Sequence, residues 1–123
     1  MKILSINSSP RTGGQSKTEL MLNYLVEGMQ EAGADVEVVN LHEKNIKNCI
    51  GGFTCWTKTP GKCIHKDDMT NELFPKWLKA DLVVYATPLY HYTVNAEMKA
   101  FIERTLPAVE PFFEQHDNRT VHP

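Results

Sequence analysis

The sequence predicts an α/β chain built on a doubly wound parallel sheet, and three observations carry that prediction. Strand-like and helix-like segments alternate along it, which implies βαβ units joined by right-handed crossovers. The segment Leu82-Val83-Val84-Tyr85-Ala86 is apolar at every position, as expected of a strand covered on both faces. Two of the candidate strands also run straight into loops with ligand-binding chemistry, and open parallel sheets bind ligands at the carboxyl ends of their strands.

The first strand is the apolar run Ile3-Leu4-Ser5-Ile6. A helix follows from near Ser16, which serves as N-cap with Glu19 three residues on in a capping-box pattern. Met21, Leu25, Gly28-Met29 and Ala32 recur at helical spacing and predict its apolar face, and Gly33 is its natural stop. Asp35-Val36-Glu37-Val38-Val39-Asn40 alternates and is β-branched, so it reads as the second strand. Residues 41–68 show no period. Trp56, Pro60 and Gly61 mark a long, structured excursion there, and loops of this length inside compact domains are usually functional. Residues 69–80 read as a second helix that Pro75 should kink or split. Residues 82–87 form the third strand, and 95–105 the last helix, with Met98, Phe101 and Ile102 on one face. Beyond Pro107, the stretch 110–123 is polar, holds two prolines and offers no strand. The expected division is therefore a domain over residues 1–106 and a polar tail over 107–123, mobile or held by a partner. No repeat or low-complexity tract interrupts this order.

Composition narrows the function. A chain of 123 residues makes one domain, and its 41% hydrophobic content suffices for a core. A net charge of −2 gives no reason to expect nucleic acid or an anionic membrane as partner. One lysine and a short apolar stretch at the start fit a first strand better than a signal peptide. No apolar run approaches the ~20 residues needed to span a bilayer. The three cysteines are then expected to be thiols or ligands rather than disulfides, in a soluble, cytoplasmic protein.

The loop Ser8-Ser9-Pro10-Arg11-Thr12-Gly13-Gly14-Gln15-Ser16-Lys17-Thr18 sets hydroxyls, an arginine and backbone N–H groups at a helix start. Orphan donors and the helix dipole both attract an anion to such a place. It is not a P-loop, because Ser16 replaces the glycine needed before Lys17 and Arg11 stands where the first glycine belongs. A cysteine phosphatase loop is excluded as well, since no cysteine has an arginine five residues on. The second loop, Thr87-Pro88-Leu89-Tyr90-His91-Tyr92, is a proline-stiffened aromatic platform. One loop suits a phosphate and the other a flat ring, so together they predict a phosphorylated aromatic cofactor.

These two loops resemble the NADPH-dependent FMN reductase and iron–sulfur flavoprotein family. So do the segment Cys49-Ile50-Gly51-Gly52-Phe53-Thr54-Cys55-Trp56…Pro60-Gly61-Lys62-Cys63…Asp67-Asp68-Met69 and the helix Met98-Lys99-Ala100-Phe101-Ile102-Glu103-Arg104. The resemblance implies a flavodoxin-like fold that binds FMN, with Ser9, Arg11, Gln15, Ser16 and Thr18 at the phosphate. It puts Pro88, Leu89, Tyr90, His91 and Tyr92 at the isoalloxazine; for His91, plain exposure stands as the other reading. It also implies dimers or tetramers in which a neighbouring subunit completes the flavin site. Two departures stand out. Family members continue through two further strands and a third flavin loop, absent here, and iron–sulfur members carry a cysteine where this chain has Gly52.

A flavodoxin-like sheet has strand order 2-1-3-4-5, so without later strands the third strand would be an apolar edge prone to aggregation. The chain is expected either to belong to a longer polypeptide or to cover that edge with another chain. Cys49, Cys55 and Cys63 are expected to be small buried residues pinned by Trp56 and the Pro60-Gly61 turn, and no metal or iron–sulfur cluster is expected. Behind that reading stand a cluster on three cysteines, with His65, Asp67 or an open fourth site, a zinc site with His65, and a redox-active Cys55. Asp67-Asp68 should cap the second helix; Lys99 and Arg104 should be solvated charges or subunit contacts.

The activity that the resemblance implies is an FMN-dependent oxidoreductase, passing electrons from NAD(P)H to a quinone, free flavin or another small acceptor. An electron carrier or redox-inert FMN-binding module is the alternative. A flavin needs no catalytic acid–base pair from the protein, and none is visible. Backbone N–H groups of residues 88–92 would favour an anionic reduced ring. The nicotinamide would stack on the open flavin face near Trp56 or Phe53. The G-x-G-x-x-G fingerprint is absent.

Overall fold

β1 (Lys2–Asn7) runs through the centre of a three-stranded parallel sheet, flanked by β2 (Asp35–Asn40) and β3 (Leu82–Ala86) in the order β2-β1-β3. The structure is a computed structural model that describes residues 1–11 and 14–121. Thr12 and Gly13 of the first loop, and His122 and Pro123 of the tail, lie outside the described residues. Lys2 pairs with Asp35 and Asn7 with Asn40 on one side, and Ile3 with Leu82 and Asn7 with Ala86 on the other. All three strands therefore end level, and their following loops emerge side by side.

The strand pleat divides the core. Leu4, Ile6 and Val39 join Met69, Leu73, Phe74, Met98 and Phe101 in one buried cluster. With a period of two, Ile3 and Ser5 of β1 face the other way, where α1 (Lys17–Glu31) packs. α2 (Phe74–Lys79) and α3 (Ala96–Glu103) cover the first face, giving helices on both sides of the sheet. Burying a residue such as Phe101 or Ile6 completely is worth about 1.5–3 kcal/mol each.

Ser16 caps α1 as its sequence implies, its Oγ accepting from the Glu19 N–H at 3.2 Å. The buried face differs from the expected one, because Leu22 and Val26 point into the sheet while Met21 is 73% exposed. α1 carries two apolar stripes, and the sheet covers only one. The other, with Met21 and Leu25, overlooks an open groove of about 370 Å³ against Val84 and Ala86 of β3. Among the described residues no strand pairs with the outer side of β3, where Leu82 is 46% exposed, so the apolar edge expected from the sequence is real.

Pro75 splits the second helix as expected, in a specific way. Residues Met69–Leu73 form a π turn, with the Phe74 N–H donating to the Met69 carbonyl, before α2 continues with Pro75 in its first turn. A proline ring collides with the carbonyl four residues back, and the wider turn relieves that contact. The last helix is narrower than its expected span, with Asn95 as N-cap. Met98 and Phe101 are fully buried, but Ile102 is partly exposed. A further correction concerns the tail, which does contain strands. β4 (Glu114–His116) and β5 (Arg119–Val121) form an antiparallel hairpin across Asp117 and Asn118, both with positive φ. Three-residue polar strands have too short a period to recognise; the Asp-Asn pair was the available signal.

Candidate functional site

The first loop is organised by buried hydroxyls. Ser16 Oγ donates to Ser9 Oγ at 2.8 Å, and Ser9 Oγ accepts from the Arg11 backbone N–H at 3.3 Å. Asn7, at the end of β1, holds this turn from below. Its Oδ1 accepts from the Ser9 N–H at 3.1 Å while its Nδ2 donates to Asn40 Oδ1 at 3.1 Å. Ser9 and Ser16 are buried, Thr18 is partly exposed in the first turn of α1, and Arg11 and Gln15 are exposed. Hydroxyls, a guanidinium and the first-turn N–H groups of a 15-residue helix make a donor set for an anion. That chemistry fits the phosphate of FMN.

The second loop turns sharply. Tyr90 and Thr93 exchange backbone hydrogen bonds at 3.1 and 3.2 Å, and the two residues between them, His91 and Tyr92, sit at φ 48° and 66°. This is the two-residue turn that normally takes Asn-Gly. A histidine and a tyrosine here each cost about 1–3 kcal/mol of backbone strain. The turn presents Leu89, Tyr90, His91 and Tyr92 outward, with Tyr92 92% exposed, while Pro88 is half-buried at its base. The His91 and Tyr92 rings meet edge to face, 5.9 Å apart. Such a surface of flat side chains suits a planar ring.

Asn95 joins the two loops, and its role was missed in the sequence. Its Nδ2 donates to the Ser8 carbonyl at 2.6 Å, its Oδ1 accepts from the Met98 N–H, and its own N–H donates to Thr87 Oγ1. The Ser8 N–H donates to the Ala86 carbonyl at 3.0 Å. The bases of the loops are thus clamped together, although among the described residues no hydrogen bond links Arg11, Gln15 or Thr18 to residues 88–92. An asparagine immediately before a helical pattern was a readable cap; its reach across 87 residues to Ser8 was not.

The excursion between β2 and the π turn is held by a buried ion pair. Arg104 and Asp67 were expected on the surface and at a helix cap; instead their side chains are almost wholly buried together. Burial pushes the Asp67 carboxyl up, but hydrogen bonds from Arg104 and from the Lys47 and Thr70 N–H groups outweigh it and hold it well below the usual range. The contact with the Thr70 N–H is the capping role expected of Asp67, whereas Asp68 Oδ2 accepts from the Asn45 N–H at 2.7 Å. Lys99 is solvated as expected, paired with Glu103 at 3.0 Å.

The cysteines correct another expectation. Cys49 is exposed and Cys55 and Cys63 are half-buried, so none is a core residue. All three line a cavity of about 100 Å³ with His65. Burial, followed by the neighbouring Cys63 thiol, pushes the Cys55 thiol up. Trp56 does pin the loop, donating from Nε1 to the Val109 carbonyl at 2.9 Å, and stacks on Phe53 at 5.2 Å. Among the described residues, no group of three or more His, Cys, Asp or Glu is placed to hold a metal ion.

A strand order of 2-1-3, anion donors after β1 and an aromatic turn after β3 together define the front of a flavodoxin-like protein. The profile of the NADPH-dependent FMN reductase family matches residues 1–121, and this chain belongs to that family. It is 38% identical over 107 residues to an iron–sulfur flavoprotein of Archaeoglobus fulgidus, an alignment that covers 87% of this chain and 46% of that protein. Among solved structures it resembles the azoreductase from Bacillus anthracis, with TM-score 0.71 and 18% identity, over 98% of this chain and 62% of that one. It also resembles the NAD(P)H:quinone oxidoreductase from Methanothermobacter marburgensis, with TM-score 0.68 and 20% identity, over 85% and 52%. At these identities the structural likeness establishes the fold. The chain spans about half the length of the curated relatives it matches. No helix among the described residues is long and apolar enough to cross a membrane.

Proposed function

We propose that this chain is the FMN-binding portion of an oxidoreductase that takes electrons from NAD(P)H and passes them to a quinone or another small acceptor. The observation that carries the reading is the clamp made by Ser8, Ala86 and Asn95, which holds an anion-binding helix start beside a rigid aromatic turn. Family membership and a fold shared with an azoreductase and a quinone oxidoreductase support it.

In this reading Ser9, Ser16, Thr18 and Arg11 hold the phosphate, with Gln15 at its margin. Residues 88–92 position the ring, and their strained backbone fixes the turn before any ligand arrives. FMN, when bound, supplies the hydride-accepting and electron-releasing chemistry. The side chains then need only bind, orient and shield it. The open groove beside β3 is filled by a further segment of chain or by a second copy, which completes the site. A cytoplasmic setting belongs to the same reading.

The test is spectroscopic. Purified protein, with FMN added if necessary, should show flavin absorption that bleaches on anaerobic addition of NADPH or NADH and returns when a quinone is supplied. Protein that binds FMN but is not bleached by either nucleotide would reduce the proposal to a flavin-binding module.

A further inference from the structure

Positions 49, 52 and 55 are spaced three apart, and two of them are cysteine. Cysteines in a Cys-x2-Cys-x2-Cys run, with a fourth further along, are the arrangement that holds a [4Fe–4S] cluster in bacterial ferredoxins. Here the fourth is Cys63, and the middle position is Gly52. Cys49, Gly52, Cys55 and Cys63 all line the same cavity.

Nothing in the backbone requires glycine at position 52. Its neighbours Gly51 and Phe53 lie at φ 68° and 52°, but Gly52 does not share that left-handed conformation. A Cβ at Gly52 would have Thr54 Oγ1 at 3.7 Å and Ile50 carbons at 3.9 Å, which is ordinary contact. The position is open to a side chain and offers no ligand.

Of the other candidates for a fourth ligand, His65 bonds the Asn48 carbonyl through Nε2 at 3.1 Å, which leaves Nδ1, a nitrogen and not a thiolate. Both Asp67 oxygens are held, Oδ1 by Arg104 and the Thr70 N–H, Oδ2 by Arg104 and the Lys47 N–H. A four-thiolate cluster does not fit the residues present, although relatives at 38% and 36% identity are named iron–sulfur flavoproteins.

We infer that Gly52 sets the cofactor content of this chain: with glycine the cavity lacks the fourth thiolate and holds no cluster, and cysteine at this one position supplies the thiolate that lets the loop gather around [4Fe–4S]. The inference stands independently of the NAD(P)H reading.

The experiment measures iron and acid-labile sulfide on the full chain, purified anaerobically and incubated with ferrous iron and sulfide. The parent, Gly52→Cys and Gly52→Ala are compared, with circular dichroism as the check on folding. Gly52→Cys should take up about four irons and about four sulfides per chain, the content of one cluster, whereas the parent and Gly52→Ala should take up no stoichiometric amount. Removing Cys49 from the Gly52→Cys chain as Cys49→Ser should abolish that uptake. A parent that loads a stoichiometric cluster would overturn the inference, as would a folded Gly52→Cys chain that loads none or binds iron without sulfide. A Gly52→Ala chain that fails to fold would overturn its premise that the position accepts a side chain.

Discussion

Arg104 grips Asp67 with both terminal nitrogens, Nη1 to Oδ2 at 2.7 Å and Nη2 to Oδ1 at 3.0 Å, in a pair almost fully withdrawn from water. Arg104 also donates to the Lys47 carbonyl at 2.7 Å and to Thr70 Oγ1 at 2.8 Å. One guanidinium thus ties α3, the π turn and the start of the cysteine excursion together. Asp67→Asn leaves that cation buried without its counter-charge. Breaking a buried pair from one side costs about 3–5 kcal/mol, so urea unfolding should show a loss of that order. A loss under about 1 kcal/mol, the worth of an exposed pair, would contradict the buried geometry.

The same pair sets an acid limit. The Asp67 carboxyl has a depressed affinity for protons when folded, against an ordinary value near 3.9 when unfolded. Its contribution is therefore complete above the unfolded value and is lost as pH falls towards the folded one. Stability should decline below about pH 5 more steeply in the parent than in Asp67→Asn. Parallel acid dependences in melting experiments would assign the acid sensitivity to other groups.

Arg11→Ala should weaken FMN binding by about one to two orders of magnitude, the equivalent of a charge-assisted contact of roughly 1.5–3 kcal/mol. The exposed side chain has no hydrogen bond or ion pair to another described residue, so thermal stability without flavin should not change. Fluorescence titration with FMN is the measurement; unchanged affinity would place the phosphate elsewhere.

Asn95→Ala removes a helix cap and strands the buried Ser8 carbonyl. The cap alone is worth about 0.5–2 kcal/mol, and the unpaired carbonyl adds about 1–3 kcal/mol. Flavin affinity should fall along with stability, because the two loops lose their common fastening. Lost stability with unaltered FMN binding would show that the clamp does not position the site.

Replacing the turn residues as His91→Asn with Tyr92→Gly should separate stability from function. Asn-Gly adopts positive φ without the strain carried by histidine and tyrosine, so the doubly substituted chain should gain at least about 1 kcal/mol. It should also bind FMN more weakly, having lost two rings from the platform. A gain in both properties would remove these side chains from the ring site.

The fold was legible wherever local patterns have local causes. The alternation of residues 35–40, the Ser16 cap and the third strand could be read because period, capping and β-branching act within a few residues. Reading failed where a distant partner decides. Nothing near Arg104 indicates that its carboxylate lies 37 residues back, and which apolar stripe of α1 is buried, Leu22 or Met21, is decided by the sheet it packs on. Ser9 and Ser16 are expected at the anion site from their place at a helix start, and the structure buries the two hydroxyls against each other. Asn7, Thr87 and Asn95, which hold the two loops, act across strands and so left only weak marks in the sequence.

The π turn at Met69–Leu73 has a consequence for length. A π turn spends five residues where an α-helix spends four, so it holds one residue more than a regular helix would. Deleting a single residue there would restore the ordinary pitch with little change of phase, since five residues of the wide turn and four of an α turn each close about one revolution. Asp67 would stay in line with Arg104, and the backbone at Asn45 and Lys47 that hangs from Asp67 and Asp68 would stay with it, but the Pro75 ring would press on the carbonyl four residues back. The extra residue therefore serves as clearance for a proline, and the link between the cysteine excursion and the sheet does not depend on it.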